Sequence, residues 1–342
     1  MQNLQVYDFC FANRDTFYKK PSNIMDLFDR SAWKKLLALC REQISFEIEN
    51  ASDYELFRTI CALESDLQGH TLLKRSEFLL QDRLGISEPL SLEYCDEIWK
   101  RSADHFLRQS QSLGEMDINN IECNICCVFD ENDLPEALPK KIVPVLQGNC
   151  LCQTQALTWG SWKSEMSDTL TTFQKKGCRA IYFALPEEYL DIDTNLYSVE
   201  QALKNPTNDN RENLLLSQAF RFFSEYTKEN CLTMILRVHT TAKETQKLLK
   251  RTLRTVGFAD TVCLAPDLQT HLSLLRMITE LSEPALKCGI CTDDHCSDLE
   301  LELAISATVS RYPKGLLQLF SGTDLRSSAF ERNRLEMLQK KI

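Results

Sequence analysis

The residues able to do chemistry gather in a few short stretches. Arg237 and His239 stand two apart in "LTMILRVH". Alternation along an extended segment points both to one face, where a guanidinium and an imidazole suit an anionic sugar or a phosphate. The plainer use of such a pair is hydrogen bonding to neighbouring carboxylates. "CGICTDDHC" (288–296) offers Cys288, Cys291, His295 and Cys296, residue types that bind zinc. Cys288 and Cys291 lie in an apolar run, however, and their odd separation sends them to opposite faces of a strand. Buried thiols followed by a polar loop are the expectation there, and equally for "CNICC" (123–127) and "CLC" (150–152). Asp130, Asp267, Asp293 and Asp294 all follow apolar runs, where carboxylates commonly cap helices. Asp324 and Arg326 follow the last such run. Near the N-terminus, Asp8-Phe9-Cys10-Phe11-Ala12 occupies a frame in which D-x-H-x-H would aim two imidazoles at a metal. No G-x-S-x-G, P-loop or dinucleotide fingerprint is present.

These residues need elements to hold them. Eight short apolar runs read as strands: 4–11, 121–129, 142–147, 178–185, 232–238, 260–265, 285–291 and 316–321. Segments of helical periodicity separate most of them. "DTLTTFQKKG" (168–177) carries Leu170 and Phe173 along one side and ends on Gly177, a helix stop. "ENLLLSQAFRFFSEYTKENC", "TQKLLKRTLRTVGF" and "THLSLLRMITELSEP" show apolar stripes of the same period. The link between the second and third runs, "DENDLPEALPKK", is too short for a full helix. Residues 21–118 break the alternation, because they are almost wholly helical in pattern. "SDYE" (52–55) is a capping box, and Tyr94, Cys95, Ile98 and Trp99 form a stripe after Pro89. The fold expected is α/β, a (β/α)8 TIM barrel of residues 1–342, with 21–118 as a helical insertion after strand one.

Composition narrows the function. The chain has 342 residues, 43 % hydrophobic and 26 % charged, with a net charge of −10 and no basic block. Nucleic acid is therefore not an expected partner. No apolar run reaches the length of a membrane span, and no secretory signal pattern opens the chain, so a cytoplasmic protein without membrane contact is expected. The 15 cysteines, odd in number and irregularly spaced, read as reduced thiols.

The helical stretch carries a resemblance. "SDYELF" (52–57), "GHTLLKRSEFLL" (69–80) and "LSLEYCDEIW" (90–99) are similar to the insertion of the uronate isomerases, a family of the amidohydrolase superfamily. "KKGCRAIYFAL", "CLTMILRVH" and "SGTDLRSSAFERNRLEML" resemble that family's later motifs, in the same order, over nearly the whole chain. The resemblance implies a (β/α)8 barrel, a place in carbohydrate metabolism, and interconversion of aldose and ketose uronates, usually with a divalent metal. It also implies what has been replaced. Cys10 and Ala12 stand where the family has two strand-one histidines, and Arg237 stands at its strand-five histidine. The family's Asp-His after strand four falls on Tyr182 and Phe183, and its R-P-D after strand three on Leu146, Gln147 and Gly148. Its paired tryptophans after strand seven fall near Thr292 and Asp293. Asp324, followed by Arg326, remains. His70 replaces an asparagine and is expected to be structural.

A metal-assisted hydrogen shift needs ligands, a base and a carboxylate clamp together. The expectation is therefore a divergent, pseudoenzyme-like relative with no metal and no cofactor, able to hold a sugar acid. Asp324 is the one catalytic candidate. Arg237, His239, His295, Asp324 and Arg326 are the ligand-binding candidates. An active isomerase or lyase with a rebuilt site stays open, as does a non-enzymatic interaction scaffold, and so does a homo-oligomer. Phe9, Phe11, Tyr182 and Phe183 bear on the choice, since together they could plug the barrel mouth.

Overall fold

The computed structural model describes residues 5–11, 20–28, 30–40, 48–108, 125–130, 132–149, 156–185, 196–205, 211–238, 247, 249–251, 253–254, 260–265, 267–281, 286–291, 298–311, 317–321, 330, 334 and 337–338. The chain divides into two compact units. One comprises Met1–Asn13, Cys123–Thr323 and Leu335–Ile342, and the other Arg14–Glu122 and Asp324–Arg334.

The first unit is built on a parallel sheet. Its strands are β1 (Gln5–Phe11), β2 (Ile125–Phe129), β3 (Ile142–Gln147), β4 (Ala180–Leu185), β5 (Thr233–Val238), β6 (Thr261–Ala265), β7 (Leu286–Cys291) and β8 (Leu317–Ser321). Each pairs with its neighbour in sequence, and β8 pairs with β1, so the strand order closes on itself. Near-continuous apolar runs such as "TVCLA" in β6, buried throughout, suit parallel strands covered on both faces. Helices of this unit follow β3, β4, β6 and β7.

Two helical ends in this unit show local sequence setting local structure. Within the second unit, the helices Ile24–Leu27 (α1), Arg30–Leu39 (α2), Asp53–Ala62 (α3), Thr71–Leu84 (α4) and Cys95–Arg108 (α5) come first in the chain. In the sheet unit, Trp159–Lys175 (α6) follows β3, Leu196–Lys204 (α7) and Arg211–Glu229 (α8) follow β4, Leu268–Leu281 (α9) follows β6, and Asp298–Arg311 (α10) follows β7. Thr158 caps α6 by accepting from the Ser161 N–H at 3.1 Å. At its far end the Cys178 N–H donates to Phe173 O at 3.0 Å and the Gly177 N–H to Gln174 O at 2.9 Å. This paired closure requires the left-handed backbone of Gly177, whose φ is +92°. The helix runs nine residues further upstream than "DTLTTFQKKG", since Trp159, Trp162 and Met166 extend its buried stripe.

Side-chain alternation gives the sheet two different faces. Val128, Val145, Ala180, Tyr182, Ile235, Val262 and Leu264 form one buried cluster. The other face meets the helices. Phe183 packs on Phe220 and Phe223 of α8 at ring-centroid distances of 5.8 and 6.3 Å. The Ser224 hydroxyl of α8 donates to the Met234 sulfur at 3.7 Å. His271 of α9 lies 3.5 Å from the Cys288 thiol through Nδ1. The Val128 cluster is thus the inner face, turned away from the helices. At the start of the strands, Asp260 accepts from Thr233 Oγ1 and Lys287 Nζ, both at 2.8 Å, tying β5 to β7.

The second unit is helical with its own core. Trp33, Leu37, Phe57, Ile60, Leu80 and Ile98 are wholly buried there. The capping box of α3 forms as the sequence requires, with Ser52 Oγ accepting from the Glu55 N–H and Glu55 Oε2 accepting from the Ser52 N–H. His70 is structural, because its Nδ1 accepts from the Leu72 N–H at 3.2 Å and caps α4. The buried Trp33 Nε1–H donates to Ser76 Oγ at 3.1 Å. Residues 324–334 belong to this unit, and Phe330 stacks at an angle on Phe78 of α4, 5.6 Å between centroids. The nine cysteines whose side chains are described are free thiols.

Candidate functional site

In parallel α/β folds ligands sit at the C-terminal ends of the strands, where loops and helix N-termini supply polar groups. Among the candidate residues, Arg237 alone is described. Arg237 is the penultimate residue of β5 and is paired in register with Ala184 of β4 and Leu264 of β6. Leu264 belongs to the inner cluster, and Ala184 packs against it. The guanidinium of Arg237 therefore starts from the inner face, half-buried. His239, His295, Asp324 and Arg326 lie outside the described residues, as do Ala12, Thr292, Asp293 and the side chains of Phe9, Cys10 and Phe11.

Tyr182 and Phe183 lie within β4, as the apolar run 178–185 leads one to expect, since the strand continues to Leu185. Alternation then separates them. Tyr182 joins the inner cluster and is 2 % exposed, whereas Phe183 is turned outward onto α8. Phe183 is thus no part of a plug at the mouth. Outward packing also explains Gly148. A Cβ there would meet the Phe183 ring at 2.6 Å, so any side chain at 148 must displace a fully buried aromatic.

After β3 ends at Gln147, the chain keeps its hold on β4 by a side chain. Asn149 Oδ1 accepts from the Ala184 N–H and Asn149 Nδ2 donates to the Ala184 carbonyl, both at 2.6 Å. The amide mimics one more rung of the ladder and fixes the β3–β4 exit. Gln147 stands beside Tyr182 in the register.

Asp130, immediately after β2, is not the helix cap that its position suggested. No helix follows it among the described residues, and its Oδ1 is buried without a hydrogen-bond partner among them. Burial, aided by the charge of Asp133, raises its carboxyl above the usual range. Asp267, by contrast, is a cap: Oδ1 accepts from the Thr270 N–H and Oδ2 from the Thr270 hydroxyl, both at 2.8 Å. The sequence separates these two aspartates in part, because the link that starts at Asp130 is too short for a full helix whereas the segment after Asp267 carries a helical stripe.

The described part of this end therefore offers a fixed cation on β5, an amide on β3, a phenol on β4 and a protonation-prone carboxyl after β2. Of these groups the half-buried guanidinium is the one suited to an anion, whereas the Tyr182 phenol is closed off by burial. Among the described residues no three His, Cys, Asp or Glu side chains are grouped to hold a metal ion. Among them, too, no helix is long and apolar enough to cross a membrane.

No family model matches the chain. No curated protein matches it by sequence. Solved structures do resemble it. A uronate isomerase from Thermotoga maritima superposes with a TM-score of 0.77 at 14 % identity, over 98 % of this chain and 87 % of that one. A glucuronate isomerase from Caulobacter crescentus does so with a TM-score of 0.76 at 11 % identity, over 98 % of this chain and 83 % of that one. The α/β fold of this chain is thus the fold found in uronate isomerases.

Proposed function

We propose that the chain is a divergent uronate isomerase-like protein that binds a sugar acid without isomerising it. On this reading the closed strand order and its helices form a (β/α)8 barrel of the amidohydrolase type, one domain of residues 1–342 with 21–118 inserted after strand one. The single observation that carries the reading is Arg237 on the inner face near the end of β5. A guanidinium is always charged and grips a carboxylate through paired N–H groups, but it cannot ligate a cation and repels one nearby. A divalent metal does not fit beside it, so no catalytic step is routed through a metal. His239, His295, Asp324 and Arg326 complete the proposed ligand set, with Asp324 the one candidate for proton transfer. The protein would act in the cytoplasm, in carbohydrate metabolism, with a soluble uronate as partner.

Isomerisation moves a hydrogen between adjacent carbons and needs a poised acid/base group beside a polarised carbonyl. Buried Tyr182 and outward Phe183 supply no such pair. Calorimetric titration with glucuronate tests binding, and a coupled isomerase assay with added divalent metals tests turnover. Binding that is lost in Arg237→Leu, with no turnover, is the expected result. Enzyme-like turnover abolished by Asp324→Asn would refute the reading and favour a rebuilt catalytic site. Absence of both binding and turnover would leave the interaction scaffold.

A further inference from the structure

Asp130 stands at the end of β2, and the proposed sugar-acid site makes no use of it. Val128 of that strand belongs to the inner cluster, and Cys126 packs against it. Alternation carried one residue past Phe129 turns the Asp130 side chain to the same face. Phe129 pairs with Leu146, so Asp130 comes level with Gln147, which pairs with Tyr182. Tyr182 in turn pairs with Ile235 of β5, and Arg237 is the next inward position beyond Ile235. Asp130 and Arg237 thus lie three strands apart on one face, about 14 Å along the sheet at about 4.8 Å per strand.

The fold gives this carboxyl little in return. The residue is half-buried, and its Oδ1 is buried with no hydrogen bond among the described residues. Its backbone carbonyl closes a turn by accepting from the Asp133 N–H at 3.1 Å, but the side chain takes no part in that turn. Burial opposes its charge first, and the carboxylate of Asp133 second. A buried carboxylate oxygen left unmatched is a cost to stability. A group that burdens the fold, on the face that carries Arg237, suits a partner from outside the chain. An ionised carboxylate only accepts hydrogen bonds, so the partner must donate. A cation is disfavoured by the guanidinium on the same face. A sugar hydroxyl donates, whereas a second carboxylate on the ligand does not and is repelled.

We propose that Asp130 is a specificity-determining residue of the sugar-acid site: its Oδ1 accepts from a hydroxyl of a bound monoacid, away from the carboxylate held by Arg237, and its charge excludes diacids. The inference rests on the sugar-acid reading of the inner face. Calorimetric titration of the full chain with glucuronate and with the corresponding diacid, glucarate, tests it at about pH 8, well above the carboxylate range. The parent should bind glucuronate at least about tenfold more tightly than glucarate. Asp130→Asn removes the charge and should strengthen glucarate binding at least about fivefold. Asp130→Ala removes the acceptor and should weaken glucuronate binding about tenfold, with a thermal melt confirming that the variant is folded. Asp133→Asn alters the neighbouring charge alone and should not weaken glucuronate binding. Arg237→Leu should lose both acids. A parent that binds the two acids alike, or Asp130→Ala with the glucuronate affinity of the parent, would overturn the proposal and leave the sugar-acid reading in place. A parent that binds no glucuronate would overturn that reading, and this one with it.

Discussion

His271 offers a quantitative handle on how the sheet unit is held together. It sits on α9, is 0 % exposed, and faces the Cys288 thiol of β7 at 3.5 Å. Burial is the main cause of its lowered pKa, brought from 6.5 to about 4, with hydrogen bonds to the backbone of Ala304 and Gly289 only partly opposing. The folded-state pKa lies below the unfolded one. The neutral ring therefore contributes stability that is whole above about 6.5 and is lost as pH falls through about 4. Within that window the unfolded chain binds a proton that the folded chain refuses, at about 1.4 kcal/mol per pH unit. Across the interval the loss amounts to about 3 kcal/mol, a large share of the ~5–15 kcal/mol that holds a typical protein folded. Urea unfolding followed by tryptophan fluorescence, at several values between about pH 7 and pH 4.5, measures it. His271→Gln is the comparison. It has its own constant packing cost, but the steepness between about pH 6.5 and 4.5 should fall by about 2–3 kcal/mol relative to the parent. Carboxylates titrate in both proteins and cancel in the difference. Parallel pH profiles for the two proteins would refute the reasoning, because they would mean that the ring charges freely inside the fold.

Three further outcomes follow from single residues. Asp130→Asn should stabilise the protein near neutral pH, because a raised pKa means that the charged form is the costly one; the gain should vanish as pH falls below the ordinary 3.8, and thermal melts across pH would show it. Destabilisation by the same change at neutral pH would instead reveal a cationic partner for Asp130. Asn149→Ala should cost about 1–3 kcal/mol in urea unfolding, since the Ala184 N–H and carbonyl both lose their partner. Gly177→Ala should cost about 1–2 kcal/mol through backbone strain alone, as φ is +92° and an added Cβ meets nothing within 4 Å; a neutral result would contradict the helix-closing role of Gly177.

Much of the fold is legible locally. Short apolar runs mark the strands to within a few residues, because a strand buried on both faces needs continuous apolar sequence. The second run, read from 121, is described from Ile125 onward, and its first four residues lie outside the described residues. Ser52 and Glu55 announce a helix start, and Gly177 a helix stop, since capping and left-handed backbone are matters of a few neighbouring residues. The alternation of Tyr182 and Phe183 is also implicit in any strand.

What the sequence leaves undecided is which neighbours each face meets. Phe183 and Tyr182 are equally aromatic, and only the packing of α8 against one side of β4 makes the first a scaffold residue and the second an inner-face residue. Arg237 acquires its meaning the same way, from Leu264 and Ala184 on the adjacent strands. His271 reads as one polar residue in an amphipathic helix until β7 covers it. Residues 324–334 follow strand eight in sequence, yet they belong to the helical unit, with Phe330 against Phe78, more than 200 positions away in sequence. Periodicity and capping are fixed by backbone geometry within one element, and so are written in its own residues. The identity of the surface that an element is pressed against depends on distant segments, and tertiary structure alone decides it.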